Sequence, residues 1–159
     1  MGIMLHYDAS SSDAGAVQWL LHDPACRVSY QWLVLDSGVS IRIAPDRARA
    51  YHAGVCRSSD PRLPYRDANS AFYSISAAAT DGEVVTPAQY QTILDLVRCY
   101  FRAHDWPLEE SWRVVGHETE AYPLGRKHDP TGSDPARPVL SVAQLRADLA
   151  PPSPLPPAA

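Results

Sequence analysis

"VSYQWLVLDSGVSIRI", residues 28–43, holds two strands and the turn between them. Residues 28–35 are mostly β-branched and aromatic, side chains that suit a pleated, half-buried surface. Asp36, Ser37 and Gly38 follow as a three-residue loop, with glycine last, where a left-handed backbone is wanted. In "VSIRI", Val39, Ile41 and Ile43 alternate with Ser40 and Arg42, which predicts a strand with one buried face. An antiparallel hairpin is therefore expected. A lone hairpin cannot bury its own apolar face, so the flanking chain must supply the partners.

Upstream, "GIMLHYD" predicts a short apolar strand, and Ser10, Ser11, Ser12 and Asp13 offer helix caps. Val17, Leu20 and Leu21 then predict a helix over 13–22, broken by "DPAC". Downstream, residues 44–71 look loop-rich, and so long a loop is usually functional. "FYSISAA" predicts another strand. Residues 86–104 give the clearest helix, with Thr86 as N-cap, Pro87 at N1 and Gln89 completing a capping box. Its apolar face is Tyr90, Ile93, Leu94, Val97, Phe101 and His104. "WRVVGH" predicts a short buried strand, and "SVAQLRADL" a last helix with a Ser-x-x-Gln cap. Strands and helices mix without a regular βαβ rhythm. The expected class is α/β (or α+β), a central mixed β-sheet flanked by helices. No repeat or second domain is visible. Residues 1–150 are read as one domain, and residues 151–159, Pro-rich, as a disordered tail.

The totals fit that reading. The chain has 159 residues, 45% hydrophobic and 20% charged, enough for one real core. A net charge of −4 and the lack of any basic block argue against a nucleic-acid partner. Three scattered cysteines, Cys26, Cys56 and Cys99, form no CxxC pair and suit neither a disulfide framework nor a thiolate zinc site. No apolar run reaches the roughly 20 residues of a membrane span. The start lacks a basic n-region, so the chain is expected to be made in the cytosol, to remain there unless released, and to act as a monomer.

Chemistry concentrates in "VVGHETEAYPLGRKHDPTG", residues 114–132. A catalytic zinc site needs three protein ligands and one open position. His6, His117 and Asp129 would serve, although six histidines offer many such triplets. Each residue also has a plainer reading. His52 can be a loop packing residue, Lys127 a solvated lysine and Asp129, before Pro130, a turn initiator. His104 fits a helix end, and His22 an exposed one. The chain has no G-x-S-x-G elbow, no phosphate-binding G-x-x-x-x-G-K-[ST] loop and no H-E-x-x-H.

Six segments in order carry a resemblance: "MLHYDAS", "VSYQWLVLDSG", "YHAGV", "NSAFYSISAAATDG", "VTPAQYQTILDLV" and the pair "VVGHETE" and "GRKHDPTG". Over roughly residues 3–132 the chain resembles the zinc-dependent N-acetylmuramoyl-L-alanine amidases. That family includes short phage lysozymes, cytoplasmic muropeptide-recycling amidases and peptidoglycan recognition proteins. The resemblance implies the peptidoglycan recognition protein/amidase-like fold and one zinc per chain, held by His6, His117 and Asp129. It implies water attack on the amide between the lactyl group of N-acetylmuramic acid and L-alanine. Lys127, two residues from Asp129, matches an oxyanion stabiliser. Tyr30 matches a tyrosine that orients water or shuttles its proton. His52 belongs to the substrate-side His-Ala-Gly loop, and Arg57 and Arg126 flank the cleft motifs as candidate holders of stem-peptide carboxylates.

Two departures stand out. Recycling-type members carry a catalytic glutamate where alignment from Asn69 puts Ser76, leaving Glu118 as a fallback base. Gln31 stands where a histidine often follows the tyrosine. The implied partner is peptidoglycan or a muropeptide, with no membrane insertion. A lytic, endolysin-type role is favoured. A recycling amidase, a non-catalytic peptidoglycan-binding module and a plain α/β domain are the alternatives.

Overall fold

The computed structural model describes residues 1–149. The expected tail at 151–159 lies outside them. Five strands form one sheet: β1 (Gly2–Tyr7), β2 (Trp32–Val34), β3 (Ser40–Arg42), β4 (Phe72–Ala77) and β5 (Val114–Gly116). Their spatial order is β3-β2-β4-β1-β5. β2 and β3 pair antiparallel, and every other neighbour pair is parallel. The sheet is thus mixed, with the hairpin at one edge. Gly38 takes φ +83 in the turn, and a Cβ there would also press on Ala88.

Alternation along the strands sorts the two faces. Ile3 and Leu5 of β1, Tyr73, Ile75 and Ala77 of β4, and Val114 of β5 share one core with α3 (Pro87–Ala103) and α5 (Val142–Leu149). Met4, Phe72 and Val115 face the other way, under the long loop, with Ala53, Leu63 and Ala68. A third cluster joins Leu33 and Tyr30 to Ala16 and Leu20 of the first helical segment. Between residues 44 and 66 there is no helix or strand, and a one-turn helix, α2 (Ala68–Ala71), leads into β4.

Two packing details depart from expectation. Val39 is 55% exposed, because β3 is an edge strand whose outer end overhangs the core. The first helix, α1 (Asp13–Val17), widens into a π-type turn over Gln18–His22. Its inward residues are Ala16 and Leu20. The wider turn changes the angular step per residue, and Leu21 is left 44% exposed.

α3 begins as its sequence dictates: Thr86 Oγ1 accepts from Gln89 N, and Gln89 Oε1 accepts from Thr86 N. Gln89 does more than cap. It is fully buried, and its Nε2 donates to the carbonyls of Val34 and Ala78, just where β2 and β4 end. One side chain thereby joins the helix to the ends of two strands. We expect Gln89→Leu, which orphans the buried Ala78 carbonyl and leaves the Val34 carbonyl only its bond from Ala78 N, to cost about 1–3 kcal/mol in urea unfolding. A loss within about 0.5 kcal/mol, the range of ordinary surface changes, would overturn that role.

Candidate active site

β1 and β5 are parallel, so their C-terminal ends open on the same edge of the sheet. His6 sits near the end of β1 and points to the face away from α3, as Met4 does. His117 begins α4 (His117–Glu120) immediately after β5. A Cβ on Gly116, the last residue of β5, would press on the Glu118 carboxylate, which would have to move aside. Asp129 arrives on the following loop, which is tied down by Glu118 N to Asp129 O (2.7 Å), Val139 N to Thr131 O (2.8 Å) and Leu140 N to Pro130 O (3.0 Å).

These three residues converge, all buried, with donor atoms within 4.8 Å of one another. Asp129 Oδ2 lies 2.8 Å from His6 Nδ1 and 3.0 Å from His117 Nδ1. The far nitrogens are also engaged. His117 Nε2 is 2.8 Å from the Ala53 carbonyl, and His6 Nε2 is 3.0 Å from His52 Nδ1. A carbonyl can only accept, so His117 carries its proton on Nε2. Its Nδ1 lone pair then faces a carboxylate oxygen. In the neutral ring that arrangement is repulsive unless a cation lies between them. An outward N–H fixed by a backbone carbonyl is the usual support for a metal-binding imidazole. Two imidazoles and one carboxylate with converging lone pairs fit zinc.

The electrostatics agree. Burial holds the His6 imidazole down at about 4, despite the opposing pull of Asp129. Burial also keeps His52 well below the ordinary histidine range. The His6 ring is therefore neutral at physiological pH, as ligation requires. Burial pushes the Asp129 carboxyl up, but the facing imidazoles of His117 and His6 more than offset it and hold the group ionised.

The triad opens into a cleft of about 380 Å³. Tyr30 lines it, its ring 5.2 Å from that of His6 and its phenol raised by burial beyond the ordinary tyrosine range. Lys127 and Arg126 line it too, on an exposed segment. Arg126 is braced by the carbonyls of Ala53 (3.1 Å) and Val55 (2.8 Å). His128 stands on the rim as well, because the whole 126–129 segment borders the opening.

His52 lines the cleft while only 6% exposed, and its Nδ1 is engaged with His6, which it buttresses. Other residues stand elsewhere than expected. Arg57 does not line the cleft; its guanidinium lies 3.6 Å over the Tyr122 ring. Gln31 faces away, clamping β4 by accepting from Ser74 N and Ser74 Oγ. Glu118 is not a cleft residue either. It faces a separate hollow with Thr131 and Arg146, and burial raises its carboxyl to about 7. Ser76 is fully buried opposite His6 in the register, next to the Tyr30 hydroxyl.

Two further residues contribute that the sequence did not mark as site residues. Asn69 Oδ1 accepts from both His52 N and Ala53 N at 2.9 Å, which aims the Ala53 carbonyl at His117. Asp8, two residues after His6, lines the cleft with one buried carboxylate oxygen that has no hydrogen-bond partner. Its place at the end of an apolar strand was the one available signal.

Comparison with known proteins adds to this geometry. Among curated proteins no significant match is found. Among solved structures, the fold resembles the selenomethionine derivative of AmpD (21% identity, 92% of this chain and 83% of that one, TM-score 0.68). It resembles AmiD from E. coli, solved with anhydro-N-acetylmuramic acid-L-Ala-D-gamma-Glu-L-Lys (20% identity, 93% and 56%, TM-score 0.72). It also resembles the endolysin LysCS from Clostridium intestinale (17% identity, 92% and 81%, TM-score 0.60). The chain spans a little over half the length of AmiD and most of the other two. A family model described as N-acetylmuramoyl-L-alanine amidase matches residues 1–132, the span that contains all three converging side chains, and the chain belongs to that family.

Proposed function

We propose that the chain is a zinc-dependent hydrolase of the amide joining the lactyl group of N-acetylmuramic acid to L-alanine, acting on cell-wall peptidoglycan. The observation that carries this reading is the convergence of the His6 and His117 Nδ1 atoms on the Asp129 carboxylate, with both outer nitrogens already engaged.

His6, His117 and Asp129 would hold the metal. Bound zinc supplies Lewis acidity, which makes water a nucleophile at neutral pH. The remaining steps belong to the chain. Attack on the amide carbonyl builds negative charge on its oxygen, and the Lys127 ammonium brings three donors and a positive charge to the cleft for that oxygen. The leaving amine of L-alanine needs a proton. Tyr30 is neutral, and burial makes its phenol a weak acid, so it serves as a relay. It takes a proton from the attacking water as it gives its own to the nitrogen. The C–N bond breaks to leave a lactyl carboxylate and a free amine. Arg126 keeps donors for a stem-peptide carboxylate beyond those bound to Ala53 and Val55.

A lytic role on polymeric wall is supported by the neutral pair of Ser76 and Tyr30 where recycling-type members carry glutamate. Soluble anhydro-muropeptides are the second reading, favoured by the likeness to AmiD in complex with such a ligand.

Chelation is expected to abolish hydrolysis and zinc to restore it, with His117→Ala losing both metal and activity. Full activity after exhaustive chelation would refute the metal mechanism. Lys127→Ala is expected to keep its zinc while kcat falls about 10²–10³-fold. An unchanged kcat would remove it from the chemistry. Rates on intact sacculi and on soluble anhydro-muropeptides, measured side by side, separate the two settings. Faster turnover of sacculi is expected, and preference for the soluble substrate would reverse the assignment.

A further inference from the structure

Four tryptophans are present, and three are accounted for by the fold. Trp32 donates from Nε1 to Tyr100 and lies under Arg42. Trp106 packs edge-on to Phe101 and stacks with His104, and Trp112 lies under Arg62 and Arg113. Trp19 has no such partner among the described residues. It belongs to none of the three apolar clusters, is 38% exposed and lines the catalytic cleft with Val28. An indole more than a third open to water beside a reactive centre leaves aromatic surface free for a ligand.

The backbone that presents it is unusual. Trp19 sits in the π-type turn, a form that is rare and concentrated at functional sites. On either side, Ala16 and Leu20 anchor the turn in the cluster with Tyr30. The wall is held further by Cys26 N to Asp23 O, and by Arg27 Nη1 to the carbonyls of Pro24 and Cys26. The backbone that carries Trp19 is thus anchored, and a preformed surface binds with less ordering cost.

Topology sets what the surface meets. Trp19 and Val28 belong to the β2 side of β1, whereas Arg126 and Lys127 follow β5 on the other side. One wall is apolar and aromatic, the other cationic. The proposed substrate has matching halves: an uncharged pyranose with an apolar C–H face on the acyl side, and a peptide with carboxylates on the amine side. We propose that Trp19 is a stacking platform for the muramoyl sugar, and that it sets the direction in which the substrate crosses the cleft. This rests on the amidase reading above. Trp19 contacts the sugar only, so it acts on specificity and not on the bond that breaks.

The test compares two substrates with the same amide: a muramoyl tetrapeptide, and a lactoyl tetrapeptide that lacks the sugar ring. Trp19→Ala is expected to raise KM for the muramoyl substrate about tenfold more than for the lactoyl one, with Trp19→Phe recovering most of the difference. Equal changes on both substrates would overturn the platform while leaving the amidase reading intact. Failure of the wild-type protein to cleave either substrate would overturn both. A measurement on the unmutated sequence guards against misfolding. With fluorotryptophan incorporated, N-acetylmuramic acid alone should move the Trp19 fluorine signal more than the other three. If it moves none of them, the proposal is wrong.

Discussion

Two imidazole lone pairs and a carboxylate, aimed at one point inside a protein, repel one another. Holding them there takes structure, and much of this molecule provides it. Strand alternation throws His6 to the face away from α3, the end of β5 brings His117 beside it, and a braced loop delivers Asp129. Behind them stand the Ala53 carbonyl and the His52 ring, which fix which nitrogen of each ligand faces inward.

That outer support comes from the least regular part of the chain. Backbone groups that lack a ladder must find other partners. Asn69 takes the N–H groups of His52 and Ala53, and Ser29 and Tyr51 exchange two hydrogen bonds. The buried Glu120 carboxylate accepts from Ser59 and from the Tyr65 hydroxyl. The loop is rigid where it matters without being a helix or a strand. The length of 44–66 reflects the need to reach from an edge strand to the back of the ligands.

Local chemistry carried much of the fold into the sequence. The capping box of α3, the left-handed Gly38 and the alternation in β4 and its neighbours are all short-range patterns with one physical reading. What could not be read depends on the surroundings. Val39 alternates correctly, but an edge strand has nothing beyond it to bury against. Leu21 has helical spacing until the helix changes pitch. At the site, residue type and order brought out His6, His117 and Asp129, because few chemistries want that set. Position relative to the cleft was invisible. Gln31 and Glu118 adjoin site residues in sequence yet face other hollows, since one step reverses direction along an extended backbone and turns about 100° around a helix.

His6 and Asp129 touch across 123 residues of sequence. No shorter segment contains a hydrolytic centre, since β1 must be paired on both sides before the late loop has anywhere to dock. A chain that stalls or is clipped ahead of residue 129 lacks one of the three converging side chains, so the site is a property of nearly the whole matched span and of no fragment of it.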